Sequence, residues 1–149
     1  MIRKATPSDL ADVALLASRL WPEHAPADLE PECSDLLESD EAAVFLLLDG
    51  EGCDEGVARG FAQCQLRRDY VEGTYSSPVG YLEGIYVDEG QRRQGHAREL
   101  LWACEAWAKA RGCTEFASDC ELDNADSLAF HLHAGFEEAN RLICFAKRL

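Results

Sequence analysis

The stretch "YLEGIYVDEGQRRQGHARELL", residues 81–101, constrains the fold more than any other part of the chain. Its first half is apolar like a buried strand, and its second half has the periodicity of an amphipathic helix. Between the two halves, four basic side chains surround Gly95: Arg92, Arg93, His96 and Arg98. A strand that leads straight into a helix points unpaired backbone N–H groups and the positive end of the helix dipole at one spot. The stretch therefore predicts an anion site at a strand-to-helix junction.

The chain around this basic junction is strongly acidic, with a formal net charge of −14. Residues 20–58 contain twelve Asp or Glu side chains and no Lys or Arg. A surface of that sign repels nucleic acid and anionic lipid and attracts cations, so we expect no nucleic-acid partner. Two interpretations of residues 20–58 stay open. They form a solvated helix and hairpin that charge keeps soluble, or they attract a cationic ligand.

The length of 149 residues suits one hydrophobic core, which predicts a single domain over residues 1–149. No apolar run approaches the ~18 residues of a membrane span. The N-terminus lacks the apolar core of a signal peptide, so we expect a cytoplasmic protein without membrane contact. The seven cysteines are odd in number and lie mostly in apolar segments, which favours free thiols over disulfides. No cysteine pair has the spacing of a zinc site, and we expect no metal.

Cap and turn signals divide the first half of the chain. Thr6 is a predicted N-cap with Pro7 after it, and the helix that follows extends to about Leu20. A second, acidic helix is predicted over residues 27–38. The runs "AAVFLLL" and "VARGFAQCQLR" predict a hairpin around the turn "GEGCDEG", and "YVEGTYSSPVG" has the composition of a loop.

The second half continues with a strand over residues 79–88 and a helix that ends at Gly112. The segment "TEFASDC" predicts a strand, and "DNADSLAFHLHAG" predicts a short helix after an Asx cap. The last segment, "FEEANRLICFAKRL", predicts one or two final strands. With a short strand over residues 2–5, this order predicts an α/β or α+β domain on one mixed sheet.

Gly84 lies inside the predicted strand before the basic junction. An interior glycine often marks a β-bulge, where a strand bends away from its neighbour. A bulge there would leave backbone groups of Ile85, Tyr86 and Val87 free to pair with an extended ligand. A pyrophosphate attached to an amide-bearing arm would satisfy both the bulged strand and the anion site.

Two segments resemble the cofactor motifs of GNAT-superfamily N-acetyltransferases. "RRQGHA", residues 92–97, is similar to their Arg/Gln-x-x-Gly-x-Gly/Ala motif, and "NADSLAFHLHAGF" is similar to their second cofactor segment. The resemblance implies the GNAT fold, a mixed and mostly antiparallel central sheet flanked by helices, with the bulged strand at the acetyl-CoA site. The residues that it implies for acetyl-CoA binding are Ile85, Tyr86, Val87, Arg92, Arg93, Gln94, Gly95, His96, Ala97 and Asn124.

The segments "DYVEGTYSSPVGYLEGIYV", "GCTEFASDCELDN" and "HLHAGFEE" resemble the aminoglycoside 6'-N-acetyltransferases within that superfamily. This resemblance implies transfer of an acetyl group from acetyl-CoA to the 6'-amine of a cationic aminoglycoside, which confers antibiotic resistance. The residues implied to contact the drug are Trp21, His24, Tyr70, Glu83 and Asp119. Asn140 replaces a carboxylate that relatives carry, which removes one partner for a drug ammonium group.

The implied reaction assigns roles to four residues. Glu83 is the first choice of general base and Asp119 the second, because the attacking amine must lose a proton. The backbone N–H of Val87 would stabilise charge on the carbonyl oxygen. His131 stands where many GNAT enzymes have a tyrosine acid, and a structural histidine is the alternative.

Two other functions remain open from the sequence. A GNAT enzyme that acetylates a polyamine or a protein amine would also suit the acidic surface. A CoA-binding module without catalysis is the other, because Asn140 and the missing tyrosine depart from the pattern of the family. Exposed strand edges near the C-terminus would permit a homodimer, which is common among relatives.

Overall fold

The computed structural model describes residues 1–50 and 56–149. Within these residues the strands are β1 Ile2–Lys4, β2 Ala42–Asp49, β3 Val57–Arg67, β4 Val79–Val87 and β5 Phe116–Ser118. The α-helices are α1 Leu10–Leu20, α2 Pro26–Glu38, α3 His96–Ala110 and α4 Ala125–His133. Short 3-10 turns, Pro7–Asp9 and Glu89–Gln91, precede α1 and α3.

The sheet has the order β1-β2-β3-β4-β5, with antiparallel pairing except between β4 and β5, which are parallel. This confirms the predicted mixed, mostly antiparallel sheet. One face packs against α1 and α2 through residues that include Leu16, Val44 and Phe61. The other face packs against α3 through residues that include Cys64 and Leu101.

Strand β2 is buried on both faces, which explains why its apolar run is continuous rather than alternating. The predicted cap of the first helix is also confirmed, since Thr6 precedes the turn Pro7–Asp9 and α1 ends at Leu20. The predicted turn "GEGCDEG" covers residues 50–56, of which residues 51–55 lie outside the described residues. Its flanking strands, β2 and β3, form the antiparallel pair that a hairpin requires.

The bulge predicted beside Gly84 is present. Gln63 pairs with Gly84 and Cys64 pairs with Leu82, so Glu83 is the extra residue that the ladder leaves out. A side chain at position 84 would meet the end of α1, because a Cβ there would lie 2.9 Å from atoms of Leu20 and Trp21. Glycine is therefore needed where the helix end approaches the bulged strand.

The prediction of one or two final strands is wrong. Residues 137–149, which we call the C-terminal arm, contain no strand. A strand requires the backbone hydrogen bonds of a neighbour, and the ladders recorded for β5 join it to β4 alone within the described residues. The arm instead exposes large apolar side chains, with Ile143 77% and Phe145 92% accessible.

The cysteines that the structure describes are free thiols. Four are buried, namely Cys33, Cys64, Cys104 and Cys113, while Cys120 and Cys144 are exposed. Four of the described cysteines are thus buried, as their apolar segments predict, whereas the two exposed thiols depart from that prediction. Of the helices in residues 1–50 and 56–149, none has the length and hydropathy of a bilayer-spanning segment.

Asp9 ties the first strand to the first helix. Its carboxylate accepts hydrogen bonds from Arg3 Nη1 at 2.8 Å and Nη2 at 2.7 Å, and from the Thr6 backbone N–H at 2.7 Å. The Arg3 guanidinium holds the pKa of this carboxyl well below its usual range, and the Thr6 hydrogen bonds add to the effect. A depressed folded-state pKa stabilises the fold above the unfolded-state pKa, and this stabilisation is lost as the pH falls towards the folded value.

We expect Asp9→Asn to lower the free energy of unfolding by about 2 kcal/mol at neutral pH, because a neutral amide loses the charged hydrogen bonds. The difference from wild type should shrink as the pH falls below about 4, where the unfolded wild-type carboxyl takes up a proton. Urea unfolding across this pH range measures both effects. Asp12→Asn, at an exposed site in the first turn of α1, is the matched control. A pH-independent difference at Asp9 would contradict this explanation.

Candidate active site

The basic junction between β4 and α3 is built on two residues with left-handed backbone. Gly95, the N-cap of α3, has φ 87°, and Arg93 has φ 60°. A Cβ at Gly95 would meet nothing within 4 Å, so its backbone angle rather than crowding requires glycine. Two left-handed residues so close together curl the chain and direct its N–H groups inward, which suits an anion at the start of a helix.

A cavity of about 270 Å³ opens above this junction. It brings together six of the residues that the sequence predicted for the cofactor: Val87, Arg92, Arg93, Gly95, His96 and Ala97. Gln94 lies outside it, and its side chain donates to the Gly90 carbonyl at 3.3 Å. Asn124 caps α4, where its side chain accepts from the Ser127 N–H at 3.0 Å.

The edge of β4 opens just before the cavity. Its parallel partner β5 pairs with residues Gly80, Tyr81 and Leu82 only. Since the Asp88 N–H donates to the Arg59 carbonyl, alternation along the antiparallel ladder turns the backbone groups of Val87 away from β3. The same alternation applies to Ile85. Tyr86 instead faces its β3 partner, so the expectation of three free residues does not hold for Tyr86.

Arg92 joins the open edge to the basic junction. Its Nε donates to the Val87 carbonyl at 2.9 Å, and its guanidinium lies 5.8 Å from the centroid of the Tyr86 ring. Burial, with Asp88 beside it, raises the pKa of the Tyr86 hydroxyl. The arrangement leaves the Val87 N–H directed to the side of β4 that has no strand beside it in the described structure.

Glu83, the residue at the bulge, is clamped by two side chains of β3. Its Oε1 accepts from Gln65 Nε2 at 2.6 Å and from Arg67 Nε and Nη2 at 3.0 and 2.8 Å. Its Oε2 accepts from Arg67 Nη2 at 2.9 Å. The Glu83 side chain is 19% exposed, so this ion pair lies at the wall of the site rather than in open solvent.

The same guanidinium links Glu83 to the second predicted carboxylate. Arg67 Cζ lies 3.4 Å from the centroid of the Tyr81 ring, and the Tyr81 hydroxyl donates to Asp119 Oδ2 at 2.8 Å. Burial is the main reason that the pKa of Tyr81 is raised well above its usual range, and the Asp119 contact adds to it. Glu83, Arg67, Tyr81 and Asp119 therefore form one connected cluster, which we call the carboxylate cluster.

The other residues predicted to contact a substrate are spread more widely. Trp21 is half-buried beside Gly84 and packs edge-on against Phe61, with ring centroids 6.3 Å apart. His24 and Tyr70 are exposed, and no hydrogen bond or ring contact between described residues joins them to the carboxylate cluster. Asn140 donates to Glu72 Oε1 at 3.3 Å, which ties the C-terminal arm to the loop before β4.

His131 is held on both ring nitrogens. Its Nδ1 donates to the Ser127 carbonyl at 2.7 Å, and its Nε2 lies 2.8 Å from Ser118 Oγ. The Phe136 ring packs edge-on against the imidazole, with centroids 5.1 Å apart. Ser118 also contacts the Leu82 carbonyl at 3.2 Å, so His131 reaches the residue before Glu83 through one hydroxyl.

Comparison with known proteins agrees with this geometry. The model of the acetyltransferase (GNAT) family matches residues 10–136. The chain belongs to the GNAT acetyltransferase family. An aminoglycoside N(6')-acetyltransferase type 1 of Stenotrophomonas maltophilia is 46% identical over 144 residues, covering 97% of this chain and 90% of the relative. One from Serratia marcescens is 42% identical over 134 residues, covering 90% of this chain and 89% of the relative.

A solved GNAT structure also resembles this chain over its whole length. AAC(6')-Iy, in complex with the bisubstrate analogue CoA-S-monomethyl-acetylneamine, has a TM-score of 0.91 at 37% identity. The match covers 100% of this chain and 98% of that one. The chain is thus an acetyl-CoA-dependent GNAT acetyltransferase, and its donor set fits acetyl-CoA. The basic junction suits the pyrophosphate, while the open edge of β4 suits an amide-bearing arm.

Sequence reasoning missed several residues of this GNAT site. Gln65 and Arg67 hold Glu83, and Tyr81 holds Asp119, yet neither contact follows from any motif. The signal that was available is the spacing of Gln65 and Arg67, which places both on one face of β3. The cavity also includes Gln91, Arg98, Phe130, His133 and Ala134 in its lining. Of these, Arg98 belongs to the basic junction, and Phe130, His133 and Ala134 lie within the second cofactor segment that the resemblance indicates, whereas Gln91 had no signal in the sequence.

We expect Gly95→Ala to weaken CoA binding about fivefold to thirtyfold, because a left-handed alanine costs roughly 1–2 kcal/mol. Without CoA, the exposed loop can relax locally and relieve the strain, so the free energy of unfolding should change little. The cost appears when CoA binds, because binding requires the left-handed backbone. Isothermal titration with CoA and urea unfolding measure the two quantities.

Gly90→Ala is the matched control for this variant. Gly90 lies in the same loop with open space at its Cβ position, and it has no left-handed backbone angle. Equal CoA affinities for the two variants would contradict the role given to the Gly95 backbone.

Proposed function

We propose that this GNAT enzyme transfers the acetyl group of acetyl-CoA to the 6'-amine of aminoglycoside antibiotics and thereby confers resistance. The observation that carries the proposal is the position of Glu83. The bulge removes this carboxylate from the ladder at the point where the edge of β4 opens. This position supports the proposal, because an amine and an acyl donor could both approach a carboxylate there. The similarity to aminoglycoside acetyltransferases supports the choice of acceptor.

The basic junction binds the pyrophosphate in this proposal. Arg92 and Arg93 supply positive charge, while the turn from Gln94 through Gly95 to His96 and Ala97 supplies backbone N–H groups at the start of α3. The backbone of Ile85 and Val87 pairs with the amide-bearing arm, and Tyr86 contributes its ring. Asn124 contacts the arm in addition to capping α4. Bound acetyl-CoA supplies the thioester from which the amine accepts the acetyl group.

The carboxylate cluster receives the acceptor amine. Glu83 takes the proton that the amine must lose, directly or through water, and Asp119 is the second choice for this role. The ring of Trp21 packs against the drug next to the bulge, and His24, Tyr70 and Asn140 contact it at the rim. Carboxylates suit ammonium groups because a charged hydrogen bond is stronger than a neutral one.

Two further groups assist the transfer. The Val87 N–H points to the open side of β4 and donates to the carbonyl oxygen as charge builds there. His131 acts as an imidazolium, whose Nε2–H gives its proton to Ser118 Oγ while the Ser118 hydroxyl gives its own proton to the departing thiolate.

The acidic surface favours a cationic acceptor over an anionic one. Helix α2 exposes several carboxylates, among them Asp28, Glu30, Glu32 and Asp35. Their field attracts a polycation over a range of about 10 Å at moderate salt, which raises the rate of encounter. The enzyme works in the cytoplasm, where acetyl-CoA is available.

Mass spectrometry after incubation with acetyl-CoA tests this proposal. We expect one acetyl group to be added to an aminoglycoside that has a 6'-amine and none to its 6'-hydroxyl counterpart. Glu83→Gln should lower turnover about a hundredfold or more, because the amide cannot accept the proton. Glu41→Gln, at an exposed carboxylate that also pairs with an arginine, is the matched control. Acetylation of spermidine but of neither drug would instead identify a polyamine acetyltransferase.

The C-terminal arm supports a homodimer. Leu142, Ile143 and Phe145 are 60%, 77% and 92% exposed, which is costly for an isolated chain. The outer edge of β5 has no strand beside it among the described residues, so a second copy can cover the arm and pair with this edge.

Sedimentation velocity of the full chain checks the dimer. We expect a dimer in the wild type and a shift to monomer in the double variant Ile143→Lys and Phe145→Lys, because charges there oppose burial of the arm. Leu15→Lys, at an exposed apolar residue of α1, is the matched control. A monomeric wild type at micromolar concentration would contradict the proposal.

A further inference from the structure

Arg67 places a positive charge inside a site whose proposed substrate is a cation. If Glu83 served only to attract an ammonium group, a neighbouring guanidinium would weaken it. The guanidinium nevertheless makes three contacts with the Glu83 carboxylate, all between 2.8 and 3.0 Å. The arginine therefore has a use other than charge attraction.

The hydrogen bonds of Glu83 are distributed unequally between its two oxygens. A carboxylate has about four lone-pair positions, two on each oxygen. Oε1 receives three contacts, one from Gln65 and two from Arg67, whereas Oε2 receives one. Within the described structure, Oε2 is thus the oxygen that retains capacity to accept a hydrogen bond.

Arg67 is itself fixed from the opposite side. Its Cζ lies 3.4 Å from the centroid of the Tyr81 ring, and Tyr81 is only 6% exposed. The hydroxyl of that ring donates to Asp119 at 2.8 Å, which holds the ring at its far end. A stacked guanidinium with bidentate contacts has little freedom, so it restricts the rotation of Glu83 as well.

Arg68, the next residue along the chain, is an arginine without this packing on an aromatic ring among the described residues. Arg68 pairs with Glu41 at 2.9 Å, but the two side chains are 61% and 53% exposed. Exposed pairs of this kind contribute little to stability or to orientation. Arg67, the last residue of β3, and Arg68, the first residue after it, thus form a natural matched pair of the same residue type.

We propose that Arg67 is a positioning residue for Glu83. Together with Gln65 it engages Oε1 and leaves Oε2 as the single oxygen directed to the acceptor amine or to its bridging water. This inference rests on the proposed role of Glu83 in amine acetylation. It also predicts that loss of Arg67 affects KM and kcat differently. The Arg67 charge opposes binding of a cationic substrate, whereas its geometry assists the reaction.

Steady-state kinetics of Arg67→Met test the inference. We expect kcat to fall about 10- to 100-fold, since a small misplacement of a catalytic group has effects of that size. KM should stay the same or fall, because a positive charge has been removed from the site. Arg67→Lys should restore only part of kcat, because a lysine cannot form the bidentate contacts. Arg68→Met is the control, and its kcat should stay within about twofold of wild type.

A double-mutant cycle with Glu83→Gln separates positioning from a general structural role. If Arg67 acts through Glu83, Arg67→Met should have no further effect on kcat in the Glu83→Gln background. Gln65→Met removes one hydrogen bond to Glu83 and keeps the arginine, so its loss of kcat should be smaller than that of Arg67→Met. This variant replaces Arg67→Met in the test if Arg67→Met folds poorly. CoA affinity and the free energy of unfolding are measured for every variant.

Wild-type kcat for Arg67→Met, or a full additional loss in the Glu83→Gln background, would overturn the inference. An increase in KM with unchanged kcat would also overturn it, because that result indicates binding rather than positioning. The cycle is measured with whichever amine the wild type acetylates. Failure of the proposed drug substrate is therefore distinguishable from failure of the role given to Arg67.

Discussion

The β-bulge at Glu83 is the feature on which the rest of the site depends. One extra residue in β4 shifts the register with β3 between Gln63 and Cys64 and leaves Glu83 outside the ladder. The parallel pairing with β5 stops at Leu82, one residue before Glu83, because β5 ends at Ser118. The bulged carboxylate and the open strand edge therefore lie at adjacent positions. Gly84 permits this because the end of α1 occupies the space of a side chain there.

The protein separates opposite charges along that one strand. Beyond the C-terminal end of β4, Arg92, Arg93 and the start of α3 concentrate positive charge, which we propose to bind a polyanion. Around the bulge, the carboxylate cluster and the exposed acids of α2 concentrate negative charge, which we propose to attract a polycation. In this proposal an acidic enzyme binds an anionic donor because basic residues are concentrated at a helix start. The strand between the two surfaces would then align the two ligands.

Most of the fold could be predicted from the sequence because its signals are local. Each of these signals determines structure within a few residues of itself. They are the caps at Thr6 and Asn124, the apolar run of β2 and the glycine of the bulge. The contacts of Arg67 could not be predicted in this way, because cross-strand partners depend on the register that the bulge itself shifts. The segment "FEEANRLICFAKRL" predicted strands in the C-terminal arm, but a local segment carries no information about whether a partner strand is present.

The roles proposed for the site differ in how directly the structure supports them. Arg93, Gly95 and Ala97 line one cavity together, as their motif implied. Tyr70 and His24 are exposed, so their contribution depends on where a drug extends beyond the carboxylate cluster. His131 is half-buried and both of its ring nitrogens contact groups of its own chain, which makes Ser118 the route by which it would act.

A crystal structure with CoA and an aminoglycoside tests the central claim most directly. The account predicts the 6'-amine, or one water bound to it, within hydrogen-bond distance of Glu83 Oε2. Arg67 should remain bidentate on Glu83 and stacked on Tyr81, and the arm of CoA should lie along Ile85 and Val87. A 6'-amine bound away from Glu83, or an Arg67 side chain displaced by the drug, would contradict it.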